Sequence, residues 1–393
     1  MNNYVFRAAR LFDGNMWTGP RALYVEREKI AKVTGVAEAE SDPSVSEIID
    51  FGESASVVPG LIDTHLHLAF DAGSDPVGTL TSSQDDAVSE QMRRAADTAL
   101  SAGITTVRDL GDRAYLAVAL GREFREHPGR GPHIVAAGPP LTPVGGHCHF
   151  LGGEAEGQDA LRAAVRERKE RGCGVVKIMA SGGHMTPGSK PAYASQYTAN
   201  ELKAVVEEAH GLGLPVAAHV HGIDAIVDAL DAGVDTLEHV SFMTLDGVAP
   251  NDVALAAVAG NSAFASVTMG LDPALPLPPP LAAELAKARA GYGALHQRGA
   301  RVVVGTDAGV APFKPHNVLP HAVAELLAVG FSADEALSAV TAVAAEAVGL
   351  GGRKGRLSVG FDADMLVVNG DPAQDPAALL DVAAVFRAGV RVR

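Results

Sequence analysis

The stretch Val57–Leu68, VVPGLIDTHLHL, carries an apolar run into two histidines one residue apart, His65 and His67. A run of valine, leucine and isoleucine reads as a strand buried on both faces, the kind found in parallel sheets. Side chains two apart on a strand share a face, so both imidazoles point the same way. Side by side at the end of a buried strand, they form a chelate.

The same texture continues outward. From about residue 57 to 350, short apolar runs alternate with Ala-rich, charged stretches of helical period. With VVPGLIDTH, the runs TTVRDL, HIVAAG, VVKIMAS, PVAAH, TLEHV, AFASV and RVVVGTD make eight candidate strands. Stretches such as DDAVSEQMRRAADTALSAG and ANELKAVVEEAHGLG lie between them, and most end on a glycine, the residue favoured just past a helix. Eight strands alternating with helices predict an α/β fold, a (β/α)8 TIM barrel over residues 58–350. After the eighth strand, SADEALSAVTAVAAEAVGLG opens with Ser332 and Glu335 at capping-box spacing and reads as one more helix packed on the barrel.

Both chain ends look different. YVFRAARLFDGNMWTGPRALYVEREKIAKVTG near the start, and DADMLVVNGD with AAVFRAGVRVR at the end, read as hairpin strands. Neither segment is large enough to hold a core alone. Residues 1–57 plus 351–393 are therefore expected to form one composite β-sandwich domain with the barrel inserted between its halves.

Composition removes several functions. Apolar residues make up 47% and charged residues 20% of 393, which is globular usage, and no stretch reaches the roughly 18 apolar residues of a membrane span. The start, MNNYVFRAARLFDGNMW, lacks the pattern of an export signal, so the expected location is cytoplasmic. Two cysteines, Cys148 and Cys173, give no disulfide framework and no Cys-x-x-Cys site. A net charge of −15 repels nucleic acid and anionic lipid, and the densest basic run, GRKGRLSVG at 352–360, reads as a solvated turn. The expected partner is a small-molecule substrate, with neither nucleic acid nor membrane.

The catalytic face of such a barrel lies at the carboxyl ends of its strands. His65 and His67 end the first, Lys177 interrupts the fourth, His219 ends the fifth, His239 the sixth and Asp307 the eighth. Each has a plainer reading alone: a strand-end histidine is more often a hydrogen-bonded core residue, and an aspartate before Ala-Gly is usually a turn former. Lys177 resists such a reading, because a lysine inside a buried strand costs several kcal/mol unless paired or chemically altered.

The motifs PGLIDTHLHL, AGITTVRDLG, VKIMASGG, AAHVHG, AGVDTLEHV, GTDAG and GRLSVGFDADMLVV resemble the amidohydrolase superfamily. The branch includes imidazolonepropionase-like proteins and metal-dependent Xaa-Pro or Xaa-Arg dipeptidases. The resemblance implies that His65, His67, Lys177, His219, His239 and Asp307 bind two divalent metal ions, most readily zinc. Lys177 would be carboxylated by CO₂ to a bridging carbamate. It implies hydrolysis of an amide C–N bond by metal-bound hydroxide, with Asp307 as catalytic base, and an oligomer built of identical chains.

The substrate implied is a dipeptide, an N-acyl amino acid or a cyclic amide. A lactone, carbamate or phosphoester would suit the same site, and a scaffold without catalysis is opposed by the presence of all six ligand-type residues. Deaminating relatives carry a glutamate three residues after the fifth-strand histidine; here that position is Gly222. His221 is read as a supporting or packing residue. His147, Tyr197 and His184 are the expected substrate-binding residues, in loops that also hold His149, Lys190 and Tyr193; Lys314 and His316 are weaker candidates.

Overall fold

The computed structural model describes residues 3–43, 45 and 48–393. Among them, eight strands follow one another in parallel pairings: β1 (Leu61–Leu66), β2 (Ile104–Asp109), β3 (His133–Ala136), β4 (Val176–Met179), β5 (Val216–Gly222), β6 (Thr236–Thr244), β7 (Phe264–Thr268) and β8 (Arg301–Gly305). Strands β1–β3 form one sheet and β4–β8 a second. Backbone hydrogen bonds cross both seams. Beyond β3, the Leu141 amide donates to Lys177 at 2.8 Å and the Met179 amide donates to Leu141 at 2.8 Å. Beyond β8, Asp307 donates to His65 at 2.7 Å and His67 donates to Ala308 at 3.0 Å. Gly305 makes this second approach possible, since a Cβ there would lie 2.3 Å from the Cβ of His65.

Nearly every side chain of β1 to β4 is buried, as expected of strands covered on both faces. The covering helices earn their place through one apolar stripe. In the helix Asp85–Ser101 the buried residues include Val88, Met92, Ala95 and Ala99, spaced by fours and threes.

The chain ends build two further sheets. One holds Asn3–Ala8, Arg21–Glu26, Lys29–Thr34 and Ile48–Asp50. The other joins Arg10–Phe12, Trp17–Thr18 and Ala55–Pro59 to the C-terminal strands Met365–Asn369, Val382–Arg387 and Val390–Arg391. A single apolar cluster takes Phe6 and Leu23 from the first sheet and Val57, Met365 and Phe386 from the second. The strand Ala55–Pro59 pairs with Met365–Asn369 and leads through Gly60 into β1.

One expected element is divided. The capping box at Ser332 and Glu335 is present, but the helix it opens stops at Ser338, and a second helix runs Ala342–Ala347. Thr341 leaves the helical region at φ −135°, ψ −93°, and its hydroxyl donates back to the Leu337 carbonyl at 2.6 Å. The Val340 carbonyl is thereby free to accept the Ile62 amide at 2.8 Å, which ties the break to the start of β1. A periodic apolar pattern cannot register a carbonyl spent on another element. Among the described residues no helix is long and apolar enough to cross a membrane.

Candidate active site

The carboxyl ends of these strands bring seven ligand-type side chains to one cavity of about 310 Å³. The Nε2 atoms of His65 and His67 lie 3.3 Å apart, and Oδ1 of Asp307 lies 3.4 Å from Nε2 of His67 and 3.7 Å from Nε2 of His65. His219, His221 and His239 form a second group, and within each group the donor atoms fall within 4.8 Å of one another. The His65 and His239 rings, 4.9 Å between centroids, join the two groups. Lys177 lines the same cavity at 1% exposure, and its Nζ has no hydrogen-bond partner among the described residues. Asp307 and His239 both have left-handed backbone, φ 58° and 71°, an uncommon conformation that clusters at functional sites.

Four of the five imidazoles hydrogen-bond a carbonyl or hydroxyl through one nitrogen, and His65 turns Nδ1 toward a carboxylate. Nδ1 of His65 is 3.0 Å from Oε2 of Glu238, and Nδ1 of His67 donates to the Gly111 carbonyl at 3.0 Å. Nε2 of His219 donates to the Gly182 carbonyl at 3.0 Å, and Nδ1 of His239 meets Thr268 Oγ1 at 2.8 Å. Nδ1 of His221 meets Ser241 Oγ at 2.7 Å. Burial opposes protonation of His67, but Nε2 of His67 faces the Asp307 carboxylate, which raises the pKa of that ring, and partners of this kind are what orient metal-binding histidines. Asp63 ties β8 to β1, accepting from the Thr306 hydroxyl at 2.6 Å and from the His65 amide at 3.1 Å.

Two residues beneath these rings escape a reading based on strand ends. Arg108, fully buried, donates to the Thr64 carbonyl at 2.6 Å and to Glu238 Oε1 at 2.7 Å, so Glu238 bridges the guanidinium and His65. Burial opposes ionisation of Glu238, but Arg108 and His65 prevail and hold its carboxyl well below the usual range. Glu238→Ala leaves a buried guanidinium without its counter-ion. The expected loss is about 3–5 kcal/mol of unfolding free energy, read as a lowered urea midpoint. An unchanged midpoint would remove the bridge from the account.

The site's electrostatics suit ligation. Burial, with Lys177 adding to it, holds His65 down at about 4, and burial alone leads in holding His147 at about 4. These rings are neutral and keep their lone pairs. Burial favours a protonated Asp307, yet the contacts with His67 and His65 override it and keep the carboxylate ionised well below its ordinary range. Burial pushes the Lys177 amine from its usual 10.5 to about 8, with Arg108 acting in the same direction against the pull of Glu238. An amine lowered this far is available in neutral form to CO₂. A carbamate at Nζ would replace a buried, unpartnered cation with a carboxylate ligand among imidazoles. A nitrogen and oxygen donor set of this kind fits zinc and neighbouring divalent metals.

The expected substrate residues fall into three positions. His147 is buried and lines the cavity, its ring 4.8 Å from that of His219. His184 lines the cavity from an exposed position, 5.9 Å from the His221 ring. Tyr197 is not among the lining residues: its ring is packed in the main apolar core and its hydroxyl donates to the Ala155 carbonyl at 2.9 Å. Gly222 is packed so closely that a Cβ would sit 2.0 Å from the Tyr193 carbonyl oxygen, leaving no room for the glutamate of a deaminase. Lys314 donates to the Thr306 carbonyl and His316 donates to the His67 carbonyl at 3.0 Å, so both brace the loop after β8.

Residues 56–392 match the profile of the amidohydrolase family. The chain belongs to the amidohydrolase family. An uncharacterized protein of Mycobacterium tuberculosis is 30% identical to this amidohydrolase over 327 residues, which is 82% of this chain and 81% of that one. Ochratoxinase of Aspergillus niger is 32% identical over 214 residues, 47% of this chain; the match spans 43% of the ochratoxinase length. Among solved structures, a Xaa-Pro dipeptidase with methionine bound in its active site superposes with a TM-score of 0.85 at 25% identity, over 99% of both chains.

Proposed function

We propose that this amidohydrolase cleaves the amide C–N bond of a small substrate such as a dipeptide, an N-acyl amino acid or a cyclic amide. The observation that carries the proposal is the pairing of a buried, unpartnered Lys177 amine with two groups of ligand atoms in one cavity. The eight parallel strands are read as one closed (β/α)8 barrel over 58–350, supported by the hydrogen bonds at both seams. Residues 1–57 and 351–393 are read as a composite β-sandwich, supported by their shared apolar cluster.

His65, His67, Lys177 as its carbamate, His219, His239 and Asp307 would hold two divalent cations, most readily zinc. Bound there, these would supply Lewis acidity and a water of lowered pKa. The chain's own residues do the rest. The Asp307 carboxylate, kept ionised by His67, takes the proton of the attacking water at its oxygen and returns it to the leaving nitrogen as the C–N bond breaks. Glu238, whose Oε2 lies 3.0 Å from Nδ1 of His65, would favour the tautomer that leaves the lone pair on Nε2. His147, buried and neutral, is assigned the hydrogen bond to the scissile carbonyl. His219 is retained as the fifth-strand ligand, and His221 is assigned to the substrate side, where it faces His184.

A panel of dipeptides, N-acyl amino acids, cyclic amides, lactones and phosphoesters, offered to zinc-loaded enzyme, tests this reading. Amides are expected to turn over at least tenfold faster, by kcat/KM, than matched lactones and phosphoesters. Preference for a lactone or phosphoester would move the bond assignment elsewhere.

A further inference from the structure

The cavity wall carries information about the substrate beyond the bond that is cut. The helix Pro279–Gln297 presents Leu281, Leu285, Ala288 and Tyr292 to the cavity, spaced four, three and four residues apart. Exposure falls along this stripe from 37% at Leu281 to 2% at Ala288 and Tyr292. At its inner end the Tyr292 hydroxyl donates to the His239 carbonyl at 2.9 Å. The stripe therefore leads from solvent to the ligand cluster. Met243 and Val248 line the same cavity.

Charged groups along this wall do not suit an anion. Among the described residues lining the cavity there is no arginine, and the lysines are Lys177 and Lys314. Lys314 is 7% exposed and directs its ammonium to the Thr306 carbonyl. The lining residue on the helix that carries charge is acidic: Glu284 accepts the Val248 amide at 2.7 Å and pairs with Lys287 at 2.7 Å. A substrate carboxylate lying here would meet apolar carbon and Glu284, with no partner to offset its lost hydration.

Resting on the amide-hydrolase reading above, we infer that the substrate is an amide bearing a neutral, apolar alkyl or aryl group that lies along Leu281, Leu285 and Ala288. Among the amides named above, those with such a group are preferred to a small zwitterionic dipeptide. Each methylene transferred from water to this wall raises kcat/KM about fourfold until the stripe is covered.

The test uses zinc-loaded enzyme and acyl anilides lengthened from acetyl to octanoyl, with glycyl-proline as the zwitterionic arm. The expected result is a stepwise rise in kcat/KM over the first few methylenes, with the longer anilides at least about 100-fold above glycyl-proline. Leu285→Asp is expected to cut the octanoyl-to-acetyl ratio at least tenfold. Leu281→Asp, at a position already 37% exposed, provides the same readout should Leu285→Asp fail to fold. A flat chain-length profile, or preference for glycyl-proline, overturns the inference while leaving amide hydrolysis standing.

Calorimetric titration with 4-phenylbutan-2-one, a neutral ketone that cannot be hydrolysed, reads the wall without catalysis. Binding with a negative heat-capacity change, weakened at least tenfold by Leu285→Asp, supports the apolar subsite even if no amide is cleaved. In that event the amide reading alone has failed.

Discussion

Asp307→Asn lowers kcat about 10³- to 10⁴-fold toward any amide the enzyme hydrolyses, with the fold unchanged. The magnitude is that of removing a positioned general base, with loss of a ligand acting in the same direction. The choice of asparagine follows from the backbone. Position 307 sits at φ 58°, a left-handed conformation that asparagine tolerates and β-branched residues do not. The amide also preserves the shape of the group beside Nε2 of His67, 3.4 Å away, but cannot accept the proton. Steady-state kinetics on zinc-loaded variant and wild type, with circular dichroism as the folding control, measure the effect. Activity within tenfold of wild type would show that another group takes the proton.

Lys177→Met should have opposite effects on activity and on stability. Hydrolysis is expected to fall at least about 10³-fold, because on the proposed reading Lys177 would supply a carbamate ligand that methionine cannot form. In metal-free buffer without CO₂, however, the variant is more stable than wild type by about 1–4 kcal/mol, since an apolar side chain of similar length replaces a buried, unpartnered amine. The sign with pH follows from linkage. Folding lowers the Lys177 pKa from 10.5 to about 8, so in that window the unfolded chain holds more protons and wild-type stability rises with pH. The advantage of Lys177→Met is therefore full below pH 8 and fades as pH approaches 10.5. Urea midpoints at pH 7 and pH 10 measure it. A wild type more stable than the variant at pH 7 without metal would mean that Lys177 has a partner.

Much of this site was legible because buried strands advertise their exceptions. The polar ends of apolar runs identified His65, His67, His219, His239 and Asp307, and Lys177 stood out as a charge inside a strand. The same reasoning, applied inward from the strand ends, would have found Arg108 in TTVRDL and Glu238 in TLEHV, both 1% exposed or less. Neither ends its run, so the strand-end pattern does not mark them. His221, two residues from His219, shares that strand face, and the partners at Gly182 and Ser241 distinguish the two rings.

Loops were less readable. Tyr197 and His147 occupy similar glycine-rich connections, but nothing in their local sequence separates a side chain facing the cavity from one anchored to the Ala155 carbonyl. The apolar stripe on Pro279–Gln297 was hidden for a related reason: a helix that turns one face to a cavity has the same period as one packed against a core. The break at Val340 and Thr341 depends on a hydrogen bond to Ile62, more than 270 residues earlier in the chain.

Metal content tests the central claim most directly. Wild-type protein reconstituted with zinc in bicarbonate buffer, desalted and measured by elemental analysis, is predicted to retain two zinc ions per chain, and Lys177→Met at most one. Zinc-free wild type under those conditions, or a variant that binds as much as wild type, would contradict the account.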